Sequence, residues 1–448
     1  MKSKNKVQLL SGNVEKALIK FTIPLIFGML SMIIFNLVDA YFIGKLGTKE
    51  LAALSFTFPV VLVVNSVVMG LGMGTASVIS RAVGEGNINK VKRLATDSLL
   101  LSIVVVVLVS VLGILTVETV FGILGVKEEI MPYVKDYMSI WYLGSVFIVV
   151  PWIGNNSIRA LGDTKTPVII LTIAAVTNAI LDPFLIFGYG PFPELGVKGG
   201  ALATVISRAL TLIVALYVLI KREKIVSFEK VKVNEIIESW RKILYIGVPN
   251  IITRMIVPIS SGVITKLISS HGTVAVAGYG VATKLEFFAL TLASALAAAM
   301  GPFVGQNYGA KKIDRLKIGV SFSDKFSLIS SVIIYLILAI LAKPIALIFN
   351  DDILVVQVIK YYLWIVPISY GLQGIFLISS SILNSMNKPL HAFILAVVQM
   401  FIFYVPLTMI GSYMYGIKGI FIGIMVSYLF SGTCAYLTVK KVIQKEPI

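Results

Sequence analysis

Residues 98–117 read SLLLSIVVVVLVSVLGILTV, a run without a single Asp, Glu, Lys or Arg. At 1.5 Å of rise per residue an α-helix of that length covers about 30 Å, the hydrocarbon thickness of a bilayer. The reading extends outward along the whole chain. Apolar stretches recur near 21–43, 51–80, 95–120, 133–156, 167–188, 196–220, 243–269, 274–304, 318–342, 355–380, 389–412 and 416–439, with breaks at Gly, Pro, Asn and Lys. Each is long enough to cross a membrane as a helix, so the pattern predicts twelve spans.

Composition agrees. Of 448 residues, 57% are hydrophobic and 14% charged, and the mean hydropathy is +0.94. An ordinary soluble domain is about 45–50% apolar and about 25% charged. These values exclude a soluble enzyme, a disordered chain and a secreted disulfide scaffold, and leave an all-α polytopic membrane protein. The formal net charge of +17 could signal nucleic acid or a membrane surface. Because the basic residues fall between apolar runs, they fit a lipid bilayer and no nucleic-acid partner. Cys434 is the one cysteine, and His271 and His391 are far apart, so neither disulfide nor thiolate metal chemistry is expected. No cofactor is implied. The polar, basic first twenty residues carry no apolar core with a small-residue cleavage site, so no signal peptide is expected.

Segments 81–93, 221–242, 311–317 and the tail at Lys440, Lys441 and Lys445 concentrate Lys and Arg on the side of both termini, which should therefore be cytoplasmic. The longest polar segment divides the chain into a first six-helix bundle, 1–221, a cytoplasmic linker, 222–242, and a second bundle, 243–448. The bundles repeat each other. Pro24, Gly47, Thr48, Ala52 and Gly84 match Pro249, Gly272, Thr273, Ala277 and Gly309 at a constant offset of 225. Later, Pro167 matches Pro389, and Gly196-Val197-Lys198-Gly199 matches Gly416-Ile417-Lys418-Gly419. Six spans return each copy to the same side, so the two bundles should be related by a pseudo-two-fold axis along the membrane normal. A cavity between them would suit alternating access. Nothing demands more than a monomer.

Ionisable groups inside a bilayer are costly and functional by default. Asp39, in Phe35-Asn36-Leu37-Val38-Asp39-Ala40, falls near the outer end of span 1. Asp182, followed by Pro183, falls toward the outer end of span 5, and Asn178 shares its helix face one turn earlier. Thr204 is about two turns into span 6. The four polar groups could converge. At the matched offsets Asp39 becomes Ile264, Asn178 becomes Met400 and Asp182 becomes Tyr404, so the second copy lacks these acids. Two adjacent carboxylates in low dielectric cannot both ionise cheaply without a cation. That points to a proton site, or to Na⁺ bound by carboxylate, amide and hydroxyl oxygens. The alternative is that both acids cap broken helices or meet interhelical donors. Pro24 could let span 1 bend. Arg208, four residues after Thr204, is expected to pair with Asp97. Lys284 and Glu286 are two residues apart and cannot face each other; they stand either at a cavity of the second bundle or near a flexible turn. Tyr137, Asn155 and Asn156 are polar positions of span 4 that could face the cavity; Met32 and Met255 read first as lipid-facing or core, though a Met- and aromatic-lined cleft would suit bulky cations. Gly70-x-Gly72-x-Gly74 has no strand before it and reads as close helix packing. The Walker pattern, a Ser/His/Asp constellation and metal-spaced ligands are all absent from the sequence, so uphill transport would draw on an ion gradient rather than on enzymatic chemistry.

Together these residues resemble a known family. Asn36-Leu37-Val38-Asp39, Ile158-Arg159-Ala160-Leu161-Gly162-Asp163-Thr164-Lys165-Thr166-Pro167, Gly199-Gly200-Ala201-Leu202-Ala203-Thr204 and Val304-Gly305-Gln306-Asn307-Tyr308-Gly309-Ala310 are similar to motifs of the multidrug and toxic compound extrusion (MATE) transporters. These belong to a larger group that includes polysaccharide and lipid-precursor exporters. The placement of acids in the first bundle resembles the DinF-type branch, not the branch with acids on spans 7 and 10. The resemblance implies a V-shaped pair of bundles in the plasma membrane of a prokaryote. It implies export of amphiphilic, often cationic, small molecules in exchange for H⁺ or Na⁺. It implies a cation site at Asp39, Asn178, Asp182 and Thr204, a substrate cavity that includes Asn36, Tyr137 and Asn155, and rearrangement of span 1 near Pro24. A lipid-linked precursor flippase is the alternative. It would need a basic cleft, for which Arg208 and Arg254 are few.

Overall fold

In the computed structural model the description covers residues 7–227, 229 and 232–446, with the backbone alone at 33, 34, 36–40, 44, 48 and 51. Among the described residues there is no strand. The helices are α1 (Val14–Gly44), α2 (Thr48–Gly84), α3 (Ile88–Ile123), α4 (Met131–Gly144), α5 (Val146–Ala160), α6 (Lys165–Phe187), α7 (Val197–Tyr217), α8 (Val233–Ser269), α9 (Thr273–Ala289), α10 (Thr291–Gly309), α11 (Ile313–Ile340), α12 (Ala342–Phe349), α13 (Ile353–Ile365), α14 (Tyr370–Ser385), α15 (Pro389–Val397) and α16 (Val405–Lys445). Short π-helical turns follow α7 (Val218–Arg222) and α15 (Val398–Tyr404), and a 3₁₀ turn joins α13 to α14.

Sixteen helices reduce to the twelve expected spans for physical reasons. Eight stretches pass as spans on length and apolar content alone, and α4 with α5 and α9 with α10 form two more, bent by 44° and 42°. The helix α1 adds an eleventh. The continuous stretch Pro389–Lys445 has 57 residues, about 85 Å as one helix, far beyond any bilayer. It breaks at Gly416, where φ 58° and ψ −138° reverse the chain. Only glycine adopts that backbone without strain. Its partner in the first copy, Gly196, caps α7 with φ 55° and ψ −130°, so the repeat read from the sequence recurs in the backbone angles. Left-handed positions at Gly86 and Lys311, and at Gly162 and Asn387, again lie 225 residues apart.

Apolar side chains face outward in long rows. On α3, Leu100, Ile103, Val104, Val107, Leu108, Val111, Leu112 and Leu115 are all exposed. Water would penalise so large a patch, whereas hydrocarbon does not. The chain is a multi-pass, all-helical membrane protein.

Contacts divide the chain into two units. Unit 1 holds residues 1–7 and 23–248, and unit 2 holds 8–22 and 249–448. The matched prolines stand at the two divisions, since α1 runs without interruption through Pro24 and α8 through Pro249. The segment read as a polar linker is helical from Val233. In unit 1 it is tied down by Trp240 Nε1 donating to the Asp97 carbonyl at 2.9 Å and by Ser227 N donating to Thr96 Oγ1 at 2.9 Å. In unit 2, residues 8–12 form a strap. Leu9 is buried, and its carbonyl accepts from Asn307 Nδ2 at 3.1 Å and Arg315 Nη2 at 3.1 Å. Arg315 Nη1 reaches Gly12 O at 2.7 Å, and Lys312 Nζ reaches Leu10 O at 3.0 Å.

Candidate functional site

The helix α6 buries one stripe, Thr166, Ile170, Ala174, Asn178, Asp182 and Leu185, spaced three or four residues apart. Asn178 and Asp182 are therefore turned into unit 1, and both side chains are fully buried. Asn178 Nδ2 donates to Asp182 Oδ1 at 3.2 Å. The opposite atom of the amide, Asn178 Oδ1, is buried and has no partner among the described residues.

The neighbouring α7 buries Val197, Gly200, Ala201, Thr204, Ser207, Thr211 and Ala215. Its register against α6 is fixed at their shared end. Gly196 N donates to Ile186 O at 3.1 Å, and a Cβ on Gly199 would come within 2.2 Å of Leu185 O. Counting back at 1.5 Å per residue, Asp182 is about 4.5 Å and Asn178 about 10 Å from that contact along α6, and Thr204 is about 7.5 Å along α7. Thr204 is thus level with the space between Asn178 and Asp182. Asn178, Asp182 and Thr204 are brought to one depth.

The side chains of Asp39 and Asn36 lie outside the described residues. Tyr137 is buried near the start of α7 in the cluster that includes Ile186, Val197 and Ala201, and beside it Asp136 pairs with Lys198 at 3.3 Å. Asn155 and Asn156 are buried on α5. Gly154 abuts Leu219 and Ala215, which sets Asn155 beside the second half of α7, beyond Thr204. Asn156 Nδ2 donates to Trp152 O at 2.8 Å, and its Oδ1 accepts from Arg159 Nη2 at 2.6 Å. Its amide nitrogen also stands over Gly72, which accounts for the glycine run of α2 as close packing. Met32 is half-buried on α1 in unit 1, and Met255 is half-buried on α8 in unit 2.

One charge assignment changes. Asp97 pairs with Arg93 on its own helix, with Nε to Oδ2 at 2.6 Å, and not with Arg208. An i,i+4 partner satisfied it locally. The Arg208 guanidinium instead lies over the Phe35 ring at 4.7 Å, on the face of α7 that bears Thr204. Glu286, open in the sequence between a cavity and a turn, lies one turn before the 42° bend that separates α9 from α10. It is inside α9, where its carboxylate accepts from the hydroxyls of Tyr362 and Tyr428.

Sequence reasoning missed the buried latch where α6 begins. Asp163 accepts from Thr166 N at 3.0 Å, Thr166 Oγ1 at 2.6 Å and Arg222 Nη2 at 2.6 Å. Arg222 also donates to Thr166 Oγ1 at 2.8 Å and Glu223 Oε1 at 3.0 Å. The Asp163-x-x-Thr166 spacing was the available signal, since it is an N-terminal helix cap.

Known proteins share this fold. The MatE family model matches residues 24–184 and again 249–410, one match per copy. A protein of Shewanella oneidensis named FAD transporter is 34% identical over 445 residues, covering 99% of this chain and 98% of its own. A Bacillus subtilis protein named probable multidrug resistance protein YpnP is 27% identical, covering 95% of each chain. The Vibrio cholerae MATE transporter VcmN in its bent form superposes with a TM-score of 0.92 at 31% identity, over 96% of this chain and 97% of that one. With the family model matching twice, and relatives aligned from end to end, the chain belongs to the MatE family of multidrug and toxic compound extrusion transporters.

Proposed function

We propose that this transporter is a cation-coupled antiporter that exports amphiphilic solutes by alternating access, with Asp39, Asn178, Asp182 and Thr204 as its H⁺ or Na⁺ site. The observation that carries the reading is the fully buried Asn178–Asp182 pair in unit 1, replaced by Met400 and Tyr404 in the second copy. A carboxylate there stays ionised only if a cation or donors compensate it. Loading it with H⁺ or Na⁺ removes a buried charge and shifts the packing balance between α6 and α7. That is the differential interaction an exchange cycle needs. The uncommitted Asn178 Oδ1 and the Thr204 hydroxyl offer neutral oxygens beside the acid, as a monovalent cation requires. Location in a prokaryotic plasma membrane with cytoplasmic termini belongs to the same proposal.

A second reading concerns the cargo. The relative named FAD transporter, together with Arg208 held over Phe35 on the Thr204 face, favours an aromatic anion bearing a diphosphate. A lipid-linked diphosphate would share that chemistry. One experiment separates the readings. The purified chain is reconstituted in liposomes, and efflux of ethidium and of FAD is followed under separately imposed H⁺ and Na⁺ gradients. Ethidium efflux driven by one gradient supports the cationic cargo, and FAD efflux lost in Arg208→Gln supports the anionic one. Gradient-independent flux of both refutes the coupling.

A further inference from the structure

The coupling scheme uses an acid in unit 1, yet unit 2 holds one of its own. Glu286 is a half-buried residue on α9, one turn before the bend at Leu290. Its carboxylate turns inward. Oε1 accepts from the Tyr428 hydroxyl at 2.8 Å and Oε2 from the Tyr362 hydroxyl, and both tyrosines are buried. Among the described residues the titratable groups that face it are phenols: Tyr279 on α9, Tyr362 on α13, Tyr370 on α14, Tyr404 on the π-turn and Tyr428 on α16. Among the described residues no Lys or Arg forms an ion pair with it. Lys284, two residues earlier, points to another side of the helix.

A carboxylate in a membrane helix without a countercharge is expensive as an anion. Here two O–H donors satisfy both oxygens of the ionised form. A phenol also accepts, so the protonated acid can donate to either tyrosine after a rotation of its hydroxyl. One cage therefore satisfies both charge states, which is the requirement of a reversible proton site. A small cavity lies at the bend that follows, lined by Leu290 and Tyr370. Tyr370 shares this cavity of ≈ 10 Å³ with Ser327, Ser330 and Ser331, about the volume one water needs.

The internal repeat gives this position meaning. The residue matching Asp182 is Tyr404, whose ring stacks on Tyr428 at 5.9 Å and 17°. Ile264 and Met400, which match Asp39 and Asn178, belong to the same buried cluster as Tyr279, Tyr362, Tyr370 and Tyr428. Glu286 itself matches Val61. The second copy thus rebuilds a polar centre at the equivalent place, with its acid supplied by a different helix.

We propose that Glu286, caged by Tyr362 and Tyr428, is a second proton-binding site of this transporter, housed in unit 2. The test uses the full chain in lipid nanodiscs and reads infrared difference spectra between acidic and alkaline buffer, in H₂O and D₂O. A deuterium-sensitive carboxyl C=O band is expected in wild type. In an Asp39→Asn, Asp182→Asn background, which silences the unit 1 acids, the band should remain; it should vanish when Glu286→Gln is added and be displaced when Tyr428→Phe or Tyr362→Phe is added, where a hydrogen bond to the carboxyl is removed. Absence of such a band in that background overturns the proposal, as does an unchanged band after Glu286→Gln is added. Should Glu286→Gln fail to fold, the two tyrosine variants decide, and an undisplaced band in both overturns it. The readout involves no transport, so its failure is distinct from failure of the unit 1 coupling reading.

Discussion

Replacing Arg222 by Ala should loosen the start of α6, the helix that carries Asn178 and Asp182. The Asp163 carboxylate is fully buried, and Arg222 is its one cationic partner among the described residues. Removing one member of a buried pair costs about 3–5 kcal/mol, because the other charge is stranded. The Arg222 side chain is 30% exposed, so water can partly replace it, and Thr166 still donates twice to Asp163. The lower end, about 3 kcal/mol, is therefore expected. At about 2–4 °C per kcal/mol for a unit of this size, the melting temperature should fall by roughly 6–12 °C. Arg222→Lys keeps the charge but not the fork that reaches Asp163, Thr166 and Glu223 together, and should lose about 1.5 kcal/mol, one charge-assisted hydrogen bond. Asp163→Asn combined with Arg222→Ala should cost less than the sum of the single changes. Thermal unfolding of the purified protein by intrinsic fluorescence measures all four. An Arg222→Ala protein that melts with wild type, or additive effects in the double variant, would refute the reasoning.

Two further predictions rest on backbone contacts. In Gly199→Val the added Cβ would stand 2.2 Å from Leu185 O, and backbone cannot swing aside. The change should cost at least about 1–3 kcal/mol and lower the yield of monodisperse protein; unchanged melting would contradict the α6–α7 register. In Arg315→Ala the strap of residues 8–12 loses the donor to Ser11 and Gly12 and one of the two donors to Leu9. Limited proteolysis should then cut the N-terminal segment faster than in wild type, and equal rates would argue against the strap's anchoring.

Much of the architecture was legible because lipid imposes a simple rule: each crossing needs an apolar helix of fixed length, and breaks need Gly or polar residues. Residues 98–117 and the paired motifs at Gly196 and Gly416 carried that information locally. The burial of Asn178 and Asp182 followed from their four-residue spacing on the stripe of α6. What stayed hidden depends on contacts distant in sequence. Glu286 meets Tyr428 across 142 residues, and Asp163 meets Arg222 across 59. The assignment of Arg208 to Asp97 went astray because Arg93, one turn away, was the nearer partner. The Val304–Ala310 motif was recognisable without revealing that its Asn307 donates to the Leu9 carbonyl, 298 residues earlier. The bends at Ser145 and Leu290 carry no proline, and the charges Lys284 and Glu286 alone did not decide between a turn and a cavity, so spans 4 and 8 read as single helices.

The central claim is that a buried acid in the first bundle exchanges its charge state for movement of cargo. Asp182→Asn tests it most directly, because the amide keeps the shape and the hydrogen bond with Asn178 while removing the titratable charge. Efflux of ethidium and FAD from liposomes should fall to the protein-free rate under either imposed gradient, with the melting temperature held at the wild-type value. Efflux at the wild-type rate from the same folded variant would contradict the account.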